Sequence, residues 1–171
     1  MLKQILIACI IFLLGCGKKN EFIYNVPAVF ESYVKKFIAE AKARGHNITI
    51  DNLIIKYDAV SSSIYCATSN VISSQNDVQK IILVNPQTCW QNDVQLEALI
   101  FHELGHCILG RNHDASLMPR GDPKTIMYPD DITIYSPCVY NLGNPCDLQY
   151  RRPYYIDELF NPTTPVPDWA K

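Results

Sequence analysis

The residues best equipped for chemistry stand together at His102-Glu103-Leu104-Gly105-His106. Two histidines four positions apart fall on one face of a helix, about one turn apart, so both imidazoles can reach a single metal ion. Glu103 projects next to them. A carboxylate there can take a proton from a water whose pKa the ion has lowered and deliver it to a departing amine. Three fixed positions recur by accident in a chain of this length at on the order of one per cent, and the setting lowers that figure. Leu99, Ile100, Phe101, Leu104 and Ile108 make this a core helix. A core helix seldom gathers two imidazoles and a carboxylate without a partner for them.

The elements that must hold these groups can be read around them. Asp93 is placed to cap a helix running from Val94 to about Leu109, with Gly110 just past its end. Pro27 to Arg44 reads as an earlier helix. Pro sits near its first turn, Val29, Tyr33, Phe37 and Ala41 fall four apart on one face, and Gly45 follows as a stop. Leu53 to Tyr57, Ile64 to Thr68 and Lys80 to Val84 are short β-prone runs bounded by Asp, Ser and Asn, expected as strands of one small sheet whose order is not legible. From Gly110 to Pro153 the chain is rich in Pro, Gly, Asp and Asn, which predicts long loops held by disulfides, followed by a short helix over Tyr155 to Phe160. The expected class is α+β: a small mixed sheet, an N-terminal helix, an active-site helix and an irregular C-terminal part. With 171 residues, 48% of them hydrophobic and 19% charged, the chain can bury one core. Its 15 Lys and Arg against 17 Asp and Glu leave a formal charge of −2, which argues against a nucleic-acid partner.

Met1 to Cys16 reads as an export segment. Lys3 supplies a positive start, and Ile5 to Leu14 is an uncharged apolar run too short to span a bilayer. The following Leu13-Leu14-Gly15-Cys16 resembles the lipobox of bacterial lipoproteins, although Leu14 stands where that family more often has a small residue. The resemblance implies a signal peptide over 1–15, a lipid on Cys16, a tether over 16–24 and a folded domain over 25–171. It places the protein in the bacterial cell envelope, lipid-anchored to a membrane; the alternative is an ordinary signal peptide with Cys16 free. An exported chain meets an oxidising compartment. Of seven cysteines, Cys9 and Cys16 aside, Cys66, Cys89, Cys107, Cys138 and Cys146 are left, so two disulfides and one free thiol are expected. Cys138 with Cys146 is the easiest short closure, and the pairing among Cys66, Cys89 and Cys107 stays open. None has the close paired spacing of a structural zinc site.

H-E-x-x-H is the signature of zincin metalloproteases, and Gly110-Arg111-Asn112-His113 resembles the Gly-x-x-His that follows it in metzincins, the clan that includes matrixins and astacins. The family pattern is H-E-x-x-H-x-x-G-x-x-H. Here Cys107, Ile108 and Leu109 separate His106 from Gly110, one residue more. An added helical residue turns the chain by about 100° and lifts it ~1.5 Å, a change that one wider turn at the helix end would absorb. The resemblance implies zinc held by His102, His106 and His113, with Glu103 as general base and then acid. Asn112 occupies the family's usual third-ligand position and is a poor zinc ligand. Asp114, and Asp157 or Glu158 on the last helix in the manner of a gluzincin, compete with His113. Thr125-Ile126-Met127-Tyr128-Pro129 resembles the L-M-Y-P of matrixins, which makes Met127 the candidate Met-turn residue, with Met118 its rival and Gly121-Asp122-Pro123 a turn that loops out the excess length. Tyr128 and Pro129 would then wall a side-chain pocket. The chain is also similar to small exported bacterial lipoproteins that carry H-E-L-G-H-C and a tail like Tyr154 to Phe160.

What the resemblance implies is a membrane-anchored zinc metalloendopeptidase, a monomer acting on a peptide or protein substrate, whose backbone would pair with an edge strand at Lys80 to Val84. Two other readings stand beside it. One is a non-enzymatic lipoprotein binding module with a structural or vestigial zinc site, closed by a fourth protein ligand such as Asp114 or a Cys. Cys107 lies on the face of Ile100 and Leu104, away from His102 and His106. The other is a zinc amidase acting on cell-wall peptides. His46 reads as a loop histidine, and Tyr150, Tyr154 and Tyr155 as packing.

Overall fold

Pro27 has no N–H to donate and sits at φ −56°, so it starts the first helix without loss, and α1 runs Ala28–Ala43. A computed structural model of the chain describes residues 21–58, 65–87, 89–129, 133–136 and 147–171. The expected signal segment, Cys16 and the expected Cys138–Cys146 pair lie outside the described residues. The buried stripe of α1 is Phe30, Val34, Phe37 and Ala41. This corrects the expected face at its first two positions: Val29 is 48% exposed, because the helix is rotated to put Phe30 into the core, where its ring meets Tyr57. Gly45 ends the turn at φ 83°, in the left-handed region that favours glycine.

Three strands follow, β1 (Leu53–Tyr57), β2 (Ala67–Ser69) and β3 (Lys80–Val84). Their order is β1-β3-β2, with β1 parallel and β2 antiparallel to β3. The central strand is also the most buried. Lys80, Ile82 and Val84 are all buried, whereas β1 is buried only at Leu53 and Ile55 and is exposed at its last two residues. The expectation that Lys80–Val84 is a free edge is therefore corrected: its backbone is used on both sides. Asn25 also bridges to the outer side of β1 at Ile54. The second strand is shorter than expected and ends one residue later, and Ile64 lies outside the described residues.

Helix α2 spans Asp93–Cys107 and packs against α1, β2 and β3. Its cap is Asn92 rather than Asp93. Asn92 is extended, and its Oδ1 accepts the N–H groups of Val94 at 3.1 Å and Gln95 at 3.0 Å, while Asp93 enters the first turn as a carboxylate near the positive end of the helix. The chain then carries no helix or strand among the described residues until a 3-10 turn at Gln149–Arg151 leads into α3 (Arg152–Phe160), a helix that starts three residues earlier than expected. Charged side chains bind the three helices together. Glu97 of α2 is buried and pairs with Lys36 of α1 and Arg152 of α3, and it accepts from the Tyr135 hydroxyl at 3.2 Å. Arg152 also pairs with Glu40 of α1 at 2.7 Å. Among the described residues one disulfide, Cys66–Cys89, joins the start of β2 to the approach to α2, and Cys107 is a buried free thiol. Among the described residues no helix is long and apolar enough to cross a membrane.

Candidate metal centre

Helix α2 carries His102 and His106 one turn apart, and the chain beyond it returns a third imidazole. At the helix end the Leu104 carbonyl accepts from Ile108 at 2.8 Å and also from Leu109 at 3.4 Å, one residue beyond the α-helical partner. Gly110 N–H then bonds the His106 carbonyl at 3.1 Å, and Arg111 N–H reaches back to Gly105 at 2.9 Å. This widened last turn takes up the additional residue before Gly110. Gly110 reverses the chain at φ 68°, and a Cβ on it would stand 3.1 Å from the Ser74 nitrogen. His113 comes back over α2, and the Nε2 atoms of His102, His106 and His113 stand 3.1 Å from one another on every side.

Hydrogen bonding fixes what those atoms can do. His102 Nδ1 lies 2.8 Å from the Ile126 carbonyl and His106 Nδ1 lies 2.6 Å from the Arg111 carbonyl. A carbonyl only accepts, so both rings carry their proton on Nδ1 and leave Nε2 as a bare lone pair. Two acceptors this close cannot bond each other. A cation would satisfy all three nitrogens at once, with His102, His106 and His113 each offering it one Nε2 atom. The group His102, His106 and His113 therefore fits a metal ion, and it is exposed on the His113 side, while His106 is buried. Burial pushes the His102 pKa down to about 3, helped by the neighbouring His106 and His113 and opposed by the Ile126 carbonyl. Burial lowers His106 as well. Both are thus in the neutral form that a metal requires.

Glu103 is buried, and burial raises its pKa to about 7 against the opposing hydrogen bonds from the Ser69 hydroxyl and backbone. Its Oε2 is buried with no hydrogen-bond partner among the described residues. Met127 is fully buried, and its Sδ lies where a Cβ on Gly105 would clash, so the thioether packs directly on α2 at Gly105. It lies in a tight turn: Tyr128 N–H bonds the Thr125 carbonyl at 3.2 Å, and the Met127 carbonyl accepts from Asp114 N–H at 3.1 Å. The turn therefore ties the loop bearing His113 to the segment whose Ile126 carbonyl orients His102. Met118, the rival, is buried in the neighbouring turn closed by Met118 N–H on the Asp122 carbonyl.

The competing ligands are engaged elsewhere. Asp114 Oδ1 accepts from Ser116 N–H at 2.9 Å, Asp157 pairs with Arg44, Glu158 pairs with Arg111, and Asn112 is exposed outside the histidine group. Cys107 is buried, and burial pushes its thiol up to about 12, so it is not a ligand in waiting. His46 lies beside the Phe160 ring. Sequence reasoning passed over Ser69, which bonds Glu103, and Gly105, whose bare Cα admits Met127. It also passed over Arg111, although a charged residue inside the ligand-bearing loop was a signal that could have found it. Comparison of this chain with protein-family models, with curated proteins and with solved structures returned no match. Fold and site define an α+β domain with a three-histidine group able to hold a metal ion.

Proposed function

We propose that the chain is a zinc-dependent peptide hydrolase of the metzincin kind, exported and held to the bacterial envelope by a lipid on Cys16. The observation that carries this reading is the convergence of three imidazole Nε2 atoms at 3.1 Å, two of them from H-E-x-x-H, with a buried glutamate between those two in the chain. When bound, zinc would polarise the peptide carbonyl and acidify a water. His102, His106 and His113 would hold it, with Ile126 and Arg111 fixing the first two rings by their carbonyls. Glu103 takes the proton of the attacking water on Oε2, which has no hydrogen-bond partner among the described residues, and returns it to the leaving amine nitrogen as the C–N bond breaks. With β3 central, the strand available to an extended substrate is β2, which packs on α2 and brings Ser69 to Glu103.

The test is metal content, coordination by X-ray absorption and peptide hydrolysis on the purified chain. Wild type should hold one equivalent of zinc on three nitrogens plus an exchangeable water. His113→Ala should lose a nitrogen, and Glu103→Gln should keep the metal and lose hydrolysis. Zinc with four protein ligands, unaltered by His113→Ala, would instead support a binding module. Hydrolysis confined to cell-wall peptides would support an amidase.

A further inference from the structure

The structure points to Arg111 and Glu158 as the pair that positions the metal ligands: we propose that their contact sets the ring of His106 and the path to His113, and with them metal affinity. This rests on the metal-centre reading above. Arg111 lies between Gly110, where the chain reverses, and His113. Its guanidinium is engaged with the last turn of α3: Nη1 donates to the carbonyls of Glu158 at 3.0 Å and Leu159 at 2.9 Å, and Nη2 donates to Glu158 Oε1 at 2.7 Å. A planar fork bonded at three points fixes the direction of the residue that bears it.

The main chain of the same residue faces the site. Its carbonyl receives the His106 Nδ1 proton at 2.6 Å, and its N–H bonds the Gly105 carbonyl at 2.9 Å. Arg111 thus grips α3 with its side chain and His106 with its backbone, and His113 follows two residues later. Glu158 is itself 2% exposed at the side chain, so its carboxylate is buried against Arg111. Without the fork, the Arg111 peptide can rotate and the His106 ring can move its proton to Nε2, which removes one of the three lone pairs. A purely structural role would look different, and Arg44 supplies the comparison. It too holds α3, through Asp157 at 2.7 Å, but its other side-chain partners among the described residues are Glu40 and the Phe160 ring rather than the loop that bears His113.

The experiment is zinc affinity of the full chain by competition with a chelator, together with nitrogen NMR of the His106 ring, for wild type, Arg111→Gln, Arg111→Lys, Glu158→Gln and Arg44→Gln. Arg111→Gln and Glu158→Gln should weaken zinc binding by about 10–100-fold and shift the metal-free His106 ring away from the Nδ1–H form. Arg111→Lys should recover part of the affinity, and Arg44→Gln should leave both readouts at wild-type values whatever it does to thermal stability. Should Arg111→Gln fail to fold, the nearly isosteric Glu158→Gln carries the test. Wild-type affinity in Arg111→Gln or Glu158→Gln, or an equal loss in Arg44→Gln, overturns the inference while leaving the metal centre standing. A wild-type chain that binds no zinc overturns the metal-centre reading and this one with it.

Discussion

At Gly105 a Cβ would stand 2.4 Å from Met127 Sδ, 3.1 Å from Met127 Cε and 3.2 Å from Leu159 Cδ1. Helix propensity alone favours alanine over glycine by ~1 kcal/mol in a helix interior, so a substitution here sets propensity against packing. Packing should win, because the thioether and the leucine are themselves confined in the core. Gly105→Ala is expected to destabilise by about 1–3 kcal/mol in urea unfolding. Pairing it with Met127→Ala should cost less than the two single changes summed, since the smaller side chain removes the clash. A more stable Gly105→Ala protein would show that Met127 moves aside freely. His102, Glu103 and His106 were legible because helical spacing alone puts them together. Gly105 was not, since the atom it avoids comes from a residue 22 positions away in the chain.

At the scale of the element, α2 owes its start to Asn92 and its end to a widened turn. Asn92→Ala removes the acceptor of two N–H groups and should cost ~1 kcal/mol, whereas Asp93→Ala leaves those groups capped and loses a favourable charge near the helix terminus, about 0.3–1 kcal/mol, together with its hydrogen bond to the Tyr33 hydroxyl. Measured in a Tyr33→Phe background, which removes that second contact, unfolding midpoints should fall in that order, and a larger loss at Asp93 would restore it as the cap. Both residues are cap formers by type, so the sequence could not choose between neighbours; the extended backbone of Asn92 makes the choice. Strand order was hidden for a different reason. Each run shows only its own burial pattern, and that of β3 is compatible with a centre or an edge until the partners are known. The extra residue before Gly110 was visible, and its absorption was anticipated as a wider turn. What could not be read was that Gly105 and Leu104 would supply the carbonyls that close it.

Across the whole molecule, the sheet is fastened to the approach of α2 by Cys66–Cys89, and the three helices by the Glu97, Arg152 and Glu40 charges. The disulfide closes a loop of sequence separation 23, for which chain entropy gives ~3 kcal/mol. Reduction should lower the urea midpoint accordingly, with Cys107 buried and unreactive toward alkylating agents in the native state; an unchanged midpoint would refute the pairing. By itself the sequence determined whatever depends on neighbours within a turn or so of chain: helices α1 and α2, the strands over Leu53–Tyr57 and Lys80–Val84, and a His-Glu-His face suited to a metal. Only tertiary structure decided that Cys66 joins Cys89, that β3 lies between β1 and β2, that Glu158 meets Arg111 instead of a metal, and that His113 closes the triangle. Those outcomes turn on which distant groups share one desolvated place. A buried charge must find its counter-charge and a buried carbonyl its donor, and that requirement is satisfied across the fold rather than along the chain.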